Sequence, residues 1–214
     1  MYMKHHDLKG GDCIKTMPSV MLGISPSKSA LPIPEKVDFR FWTIPFNRNF
    51  DDQGNRGYCW AYASTQMIES LYWIHGIQYK QLDPLKTAKR GKEISGRKED
   101  GETLEVAIMA ARETYGLQGS DVWLNSMDAV RTAVALHGPA LVGSEITDAW
   151  NQVDPNNGRQ GTGTGKSLGG HAFLVVGYDM QYSEMYCWTS WYYGWENKGV
   201  PTGFFRIPFD RFEK

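Results

Sequence analysis

QGNRGYCWAYAS, residues 53–64, places Cys59 directly after a glycine-containing turn and at the start of a helical pattern. Apolar residues recur from Cys59 at intervals of three and four positions as far as Ile74, and Gly76 follows where a glycine often ends a helix. The N-terminus of a helix carries unpaired N–H groups and a positive dipole end, which lower the pKa of a thiol. The stretch therefore supports two hypotheses, a reactive thiolate or a small apolar side chain buried in the core.

Length and composition indicate a globular protein. The 214 residues are 41% hydrophobic and 22% charged, and the many tryptophans and tyrosines favour a packed core over disorder. The formal net charge of −1 gives no support for nucleic acid or an anionic membrane surface as a partner. We therefore expect neither kind of partner.

The N-terminal residues and the cysteines bear on the cellular compartment. No apolar run approaches the roughly 18 residues of a membrane span, and residues 1–30 carry scattered charges without an apolar signal segment. Cys13, Cys59 and Cys187 cannot all pair, and they lack the spacing of a metal site. We therefore expect a disulfide-free protein without a signal peptide, in a reducing compartment such as the cytoplasm.

Further along the chain, helical patterns give way to strand-like stretches. Two stretches have apolar residues at helical spacing and a glycine just beyond them: 104–111 with Gly116, and 127–134 with Gly138. Four short stretches, rich in β-branched or aromatic residues, predict strands: 140–146, 172–178, 185–191 and 203–207. Helices followed by strands predict an α+β fold.

Two regions show no regular pattern. Prolines and glycines punctuate residues 1–34, which we expect to form an irregular extension that runs over the surface or into a groove. Residues 85–102 mix basic and acidic side chains, which predicts a solvated loop.

Two apparent ligand sites fail on spacing. GRQGTGTGKSLGG (158–170) resembles a phosphate-binding loop, but the pattern requires a glycine where Gln160 stands, and a strand-like run follows where a helix is needed. His5, His6 and Asp7 are consecutive, and adjacent residues rarely converge on one metal ion without ligands from elsewhere. We expect neither a nucleotide nor a metal at these positions.

His171 is the histidine best placed to act with Cys59. It follows two glycines and precedes the strand-like AFLVVGY (172–178), so we expect a rigid element to hold it at the edge of a sheet. A lone histidine at a strand start is more often structural, but an imidazole beside Cys59 would activate the thiol as an ion pair. The other histidines lie near helix ends or in the irregular extension: His5, His6, His75 and His137.

Four stretches in order resemble motifs of the papain-like cysteine peptidases. They are similar to the mature start, the nucleophile motif, the histidine motif and the closing motif of that family: PEKVDFR (34–40), DDQGNRGYCWAYAS (51–64), GGHAFLVVGY (169–178) and TSWYYGWENKGVPTGFFRIP (189–208). Two more stretches resemble the family's interlobe helix and first long strand: DGETLEVAIMAARETYGL (100–117) and HGPALVGSEI (137–146).

The resemblance implies an α+β papain-like fold with two lobes and a cleft between them. Residues 34–214 would form the catalytic domain, with a mainly helical lobe over 34–124. Residues 125–214 would form a lobe built on an antiparallel β-sheet or barrel. Residues 1–33 would be an N-terminal extension.

The resemblance also implies a chemistry and the residues that perform it. Cys59 would be the nucleophile, His171 the general base that later protonates the leaving amine, and Gln53 an N–H donor to the oxyanion. The chain would hydrolyse peptide or isopeptide bonds of a peptide or protein substrate, and neither a metal nor a cofactor is implied. Four further positions carry over to the surroundings of the cleft: Trp191 as a water shield, Gly101 as a close-approach glycine, and Gly143 and Ala172 as pocket lining.

Departures from the family pattern keep two alternatives open. Thr189 stands where the family has the asparagine that orients the imidazole, and Arg56 stands where it has a disulfide cysteine. One alternative is a catalytically weak or inactive pseudoenzyme that serves as a binding or structural module for protein partners. The other keeps the covalent chemistry but transfers the acyl group to an amine.

Overall fold

The computed structural model describes residues 19–22, 32–40, 52–76, 81–117, 121–148, 153–154, 156–160, 165–191 and 203–212. These ranges contain five helices: α1 (Cys59–Ile74), α2 (Pro84–Ser95), α3 (Leu104–Tyr115), α4 (Met127–His137) and α5 (Phe209–Phe212). They also contain seven strands: β1 (Ser19–Leu22), β2 (Lys36–Asp38), β3 (Val122–Leu124), β4 (Ala140–Thr147), β5 (Ser167–Asp179), β6 (Glu184–Trp188) and β7 (Phe204–Pro208). Helices dominate the first part and antiparallel strands the second, so the predicted α+β class is confirmed.

Three helices lie where the sequence pattern predicts them, and their ends explain why. The Thr103 hydroxyl accepts a hydrogen bond from the first turn of α3, and Gly116 ends that helix with a left-handed φ of 70°. Ser126 caps the start of α4 in the same way, and Gly138 follows its last residue. The predictions of α1, α3 and α4 are therefore confirmed.

The prediction of a solvated loop over 85–102 is wrong, because Pro84–Ser95 form α2. Asp83 caps the first turn, Pro84 occupies its first position, and Gly96 is left-handed at the other end. The buried positions are small or weakly apolar, which hides the helical period: Pro84, Thr87, Ala88 and Gly91. Packing against α1 and α3 supplies the stability that this pattern does not reveal.

The described strands form one sheet in the order β3-β1-β4-β5-β6-β7, with β2 paired to β5. The four predicted strands are confirmed as β4 to β7, with two shifted ends. β5 begins at Ser167, so His171 lies inside the strand rather than at its start. β6 ends at Trp188, so Trp191 follows the strand instead of belonging to it.

β1 differs from the irregular extension expected for residues 1–34. Ser19–Leu22 lie between β3 and β4 and pair antiparallel with both. Backbone groups of the two neighbours supply the hydrogen bonds, so this segment needs little strand pattern of its own. The rest of residues 1–31 lies outside the described part of the chain.

The hydrophobic core lies on both faces of the sheet. Ala172, Leu174 and Val176 of β5 pack with α1 and α3 on one face. Phe173 and Val175 point to the other face and pack with α4. Cys59 belongs to the same hydrophobic cluster as Ala172 and Leu174. The start of α1 is thereby held against the sheet.

Segments from both halves of the chain share this sheet. β2 pairs with β5, and β3 pairs with β1 at one edge. The predicted boundary between residues 124 and 125 stays a prediction. Of the helices in the described ranges, none combines the length and apolarity needed to cross a bilayer.

Candidate active site

Cys59 is the first residue of α1 and exposes only 1% of its surface. Tyr58, which precedes it, forms no side-chain cap, and the first turn of α1 contains no acidic residue. The positive end of the helix dipole is therefore not offset by a carboxylate of the same turn. The helix dipole thus favours an anion at the position of the Cys59 sulfur, whereas burial disfavours it.

Gln53 is held by the turn that leads into α1. Its side-chain Nε2 donates to the Arg56 carbonyl at 2.6 Å, and its Oε1 accepts from the Ser190 hydroxyl at 2.6 Å. The Gln53 backbone N–H also donates to the Ser190 carbonyl at 3.1 Å, and Gly54 takes a φ of 59° that favours glycine. An amide has two N–H donors, so Nε2 has a second one with which to bind an oxyanion.

His171 lies in β5, opposite Ser144 of β4, and is fully buried. Its Nε2 is 2.7 Å from the Thr189 hydroxyl oxygen. When Nε2 carries the proton and donates it to the hydroxyl, Nδ1 is the basic nitrogen of the ring. The arrangement therefore presents Nδ1 for proton exchange.

Trp191 covers the pair formed by His171 and Thr189. Its ring stacks on the imidazole with 3.6 Å between centroids and an interplanar angle of 17°. Trp191 is 4% exposed and Thr189 is fully buried, so water has little access to the bond between His171 and Thr189. A hydrogen bond shielded in this way is stronger than one in water.

Gly143 and Ala172 are direct cross-strand partners in β4 and β5. A methyl group built at Gly143 would lie 3.3 Å from Cδ1 of Leu104, so a glycine keeps this position open beside the first residue of α3. Ala172 is fully buried in the cluster that contains Leu104 and Cys59. Small side chains thus border the start of α3 and the start of α1.

Gly101 is buried in the segment that leads into α3. Its carbonyl accepts from the Lys92 ammonium group at 3.4 Å. The preceding residue, Asp100, contacts the α1 side through both Gly57 and Trp60. Gly101 is therefore placed beside the segment that carries Cys59.

Direct contacts connect much of the predicted site. His171, Thr189 and Trp191 form one group, and Ser190 joins that group to Gln53. The sequence argument missed Ser190 as the partner of Gln53. Its only signal was its place between two positions that the resemblance had singled out, because the contact joins residues far apart in the chain.

Cys187 has a different environment from Cys59. It lies in β6 between β5 and β7, and it is fully buried. Burial raises the pKa of the Cys187 thiol well above its ordinary value. Cys187 is therefore a core residue rather than a nucleophile.

The described residues hold no cluster of three or more His, Cys, Asp or Glu side chains that would bind a metal ion. His5, His6 and Asp7 lie outside the described part of the chain. β5 begins at Ser167 within the glycine-rich stretch 158–170, where a phosphate-binding loop would require a helix.

Neither a protein-family model nor a curated protein matches the chain in sequence. Solved structures do match in fold. The crystal structure of xylellain, a cysteine protease from Xylella fastidiosa, superposes with a TM-score of 0.70 at 18% identity, covering 100% of this chain and 95% of that one. Procathepsin B S9 from Trypanosoma congolense superposes with a TM-score of 0.66 at 15% identity, covering 95% of this chain and 81% of that one. The chain therefore has the mixed helical and antiparallel-sheet fold of papain-like cysteine proteases.

Proposed function

We propose that the chain is a papain-like cysteine peptidase in which Cys59 is the nucleophile, His171 the general base and Gln53 the oxyanion donor. The observation that carries the proposal is the buried bond between His171 and Thr189, 2.7 Å long and stacked beneath Trp191. A hydrogen bond at Nε2 orients the imidazole and can leave Nδ1 as its basic nitrogen, and Trp191 shields that bond from water. Both features support the role of a general base.

In the first half of the reaction, the Cys59 thiol gives its proton to Nδ1 of His171. The thiolate attacks the carbonyl carbon of the scissile bond, and the oxygen of that carbonyl becomes an oxyanion. Gln53 Nε2 and the Cys59 backbone N–H donate to this oxygen. The imidazolium then protonates the leaving amine, and the acyl group stays on the sulfur as a thioester.

In the second half, His171 takes a proton from a water molecule as that water attacks the thioester. The same donors hold the second oxyanion. Expulsion of the Cys59 sulfur and return of the proton release the carboxylic acid and regenerate the site. An amine in place of the water would give acyl transfer with the same residues.

Thr189 can serve as the orienting residue because its hydroxyl accepts the hydrogen of Nε2. Its backbone N–H donates to the Gly203 carbonyl at 2.9 Å, which fixes the main chain independently of the side chain. The hydroxyl is therefore held at a constant place relative to β5. This supports an active site despite the difference from asparagine.

The substrate would lie along Gly101, Gly143 and Ala172. Gly143 and Ala172 are small, and the apolar Leu104 lies beside Gly143. We propose that the residue two places before the scissile bond is apolar. Because Arg56 replaces a disulfide cysteine of the family pattern, we further propose a reducing compartment.

A second candidate function is a binding module without catalysis. One observation favours it: Cys59 is 1% exposed and His171 is fully buried, so the described site is closely covered. The resemblance adds a second argument, because Thr189 would stand in place of the usual orienting amide. In this case the fold would bind a peptide or protein partner through the same cleft.

A peptidyl epoxide or vinyl-sulfone probe separates the two candidates. An active site should be labelled at Cys59 at neutral pH far faster than a model thiol, and both Cys59→Ala and His171→Ala should abolish that labelling. A labelling rate equal to that of the model thiol would contradict catalysis. The binding module would then remain, and the affinity of the protein for peptides would test it. Product analysis with an added amine then distinguishes hydrolysis from acyl transfer.

A further inference from the structure

Asp100 contacts the nucleophile segment at two points. Its carboxylate accepts a hydrogen bond from the Gly57 backbone N–H at 3.2 Å, and its carbonyl accepts from the Trp60 indole Nε1 at 2.7 Å. Gly57 and Trp60 lie on either side of Cys59 in the chain. One residue therefore holds the backbone before the cysteine and the side chain after it.

Trp60 is a rigid anchor for the second of these bonds. Its side chain is fully buried, and it lies so close to α2 that a Cβ at Gly91 would be 2.4 Å from a ring atom. The indole cannot turn away without disturbing the packing of α1 on α2. The carbonyl of Asp100 is thereby fixed relative to α1.

Lys92 holds the same loop from its other side. Its ammonium group contacts the carbonyls of Glu99 and Gly101 and lies 3.3 Å from the carboxylate of Glu102, which is 1% exposed. The ammonium group also lies 5.6 Å from the centre of the Trp60 ring. Loop 99–102 is thus clamped between α1 and α2, with Gly101 at its centre.

The link begins beside a position at which the sequence lacks a cysteine of the family pattern. Arg56, directly before Gly57, stands where papain-like peptidases have a disulfide cysteine. Two hydrogen bonds that Asp100 accepts, from Gly57 and Trp60, join the nucleophile segment to the Gly101 loop without depending on the redox potential. A reducing compartment would leave this link intact.

We infer that Asp100 is a positioning residue that sets the distance between Cys59 and the Gly101 edge of the substrate cleft. This inference rests on the proposed peptidase function. The Asp100 side chain lies outside the catalytic group. It would control where the substrate backbone binds at Gly101 relative to the attacking sulfur of Cys59. Asp100 then affects extended peptides far more than small thiol reagents.

The test compares two reagents on the full-length protein. Iodoacetamide reports the reactivity of the Cys59 sulfur without using the cleft, whereas a dipeptidyl epoxide must also bind along Gly101. In Asp100→Ala the ratio of epoxide to iodoacetamide rate constants should fall about tenfold, because a hydrogen bond to a carboxylate is lost. Asp100→Asn keeps an acceptor oxygen and should stay within about twofold of the wild-type ratio.

Glu99→Ala is the matched control, since it removes a charge from the same loop while the Glu99 contact to Lys92 uses the backbone carbonyl. It should leave the ratio unchanged. Both Asp100 variants remove a negative charge near the start of α1, so the pH midpoint of alkylation should fall in both. That midpoint reports charge, and the ratio reports position.

An unchanged ratio in Asp100→Ala would overturn the inference. If the wild-type Cys59 reacts with neither reagent faster than a model thiol, the proposed function fails. The hydrogen bond between Asp100 and Gly57 can then still be tested by amide hydrogen exchange, which does not depend on catalysis. Exchange of the Gly57 amide hydrogen should be about tenfold faster in Asp100→Ala. Unchanged exchange would show that Asp100 does not hold the segment and would also overturn the inference.

Discussion

The hydroxyl group of Thr189 lies 2.7 Å from Nε2 of His171, in the position proposed to orient the imidazole. An amide oxygen can only accept a hydrogen bond, so it selects the tautomer with a proton on Nε2. A hydroxyl can accept from Nε2 or donate to it, so Thr189 tolerates both tautomers. Only the tautomer with a proton on Nε2 leaves Nδ1 basic. The reaction rate at Cys59 should therefore depend on how the two tautomers are populated.

Thr189 variants test this dependence. Thr189→Val is nearly isosteric and removes the hydroxyl, so probe labelling of Cys59 should slow by about 10- to 100-fold. Thr189→Ser keeps the hydroxyl and should stay within a few-fold of wild type. Thr189→Asn should raise the rate, because the amide oxygen selects the reactive tautomer. Equal rates in Thr189→Val and wild type would contradict an orienting role.

The two described cysteines should differ sharply in reactivity. Because burial raises the pKa of Cys187, its thiolate is scarce at neutral pH. Mass-spectrometric peptide mapping after brief treatment with iodoacetamide should find Cys59 modified and Cys187 intact. In denaturing urea both should react. Modification of Cys187 in the native protein at the rate of Cys59 would refute the assignment.

At the scale of elements, the sequence predicts the helices that have an apolar stripe, and it misses the one whose buried side chains are small. α3 and α4 have hydroxyl caps and terminal glycines, and their positions follow from the pattern. α2 buries small side chains among charges, so no apolar stripe marks it. Among the strands, the start of β5 escapes prediction because Gly169 and Gly170 lack strand propensity and depend on pairing with β4.

Gly91→Ala tests the contact between α2 and α1. The new methyl group would overlap the buried Trp60 ring, which has no room to move. Overpacking should lower the free energy of unfolding by about 1–3 kcal/mol. The better helix propensity of alanine offsets about 1 kcal/mol of this loss. Urea denaturation measures the difference. Lys89→Ala, at an exposed position of α2, is the control and should change stability little.

The pairing of β2 with β5 should weaken in acid through Asp179. Burial alone would raise the pKa of Asp179, but hydrogen bonds from Lys36 and Tyr186 outweigh it and lower the pKa below its ordinary value. A lowered pKa means that this stabilisation is present above the unfolded-state value of about 3.9 and is lost as the pH falls through the folded-state value.

Asp179→Asn removes this pH dependence. The difference in free energy of unfolding between wild type and variant should be constant between pH 5 and 7 and should shrink towards pH 3. Urea denaturation across that range measures it. A difference that stays the same at pH 3 would show that the charge of Asp179 plays no part.

At the scale of the whole molecule, one sheet separates two helical layers, and their ends meet where α1 and α4 finish. A Cβ built at Gly138 would lie 2.9 Å from Cδ1 of Ile74, which shows how closely these ends approach. The same approach brings His75 and His137, at the ends of these two helices, close enough to interact electrostatically. The sequence motifs singled out Cys59 and Gln53 as candidates, but a contact such as that between Gly138 and Ile74 joins distant positions and leaves no local pattern from which to predict it.

His137 should make stability fall on acidification. Burial first, and the nearby His75 second, lower the pKa of His137. Its Nε2 is buried with no hydrogen-bond partner among the described residues, so charging the ring is unfavourable. A histidine with a lowered pKa stabilises the folded state above the unfolded-state value of about 6.5, and this contribution is lost as the pH falls below it.

His137→Gln should flatten the decline in the free energy of unfolding between pH 7 and pH 5. His75→Gln removes only the smaller, electrostatic contribution and should flatten it less. Denaturation curves at several pH values give both slopes. A decline as steep in His137→Gln as in wild type would contradict the prediction.

β1 joins strands that lie far along the chain, since Leu22 pairs with Val122 and Ser19 pairs with Gly143. During synthesis this strand leaves the ribosome before both of its partners. Contacts between such distant positions form slowly, and until they form the nascent β4 presents an open edge that another chain can pair with. We therefore expect folding and aggregation to compete at the closure of the sheet around β1.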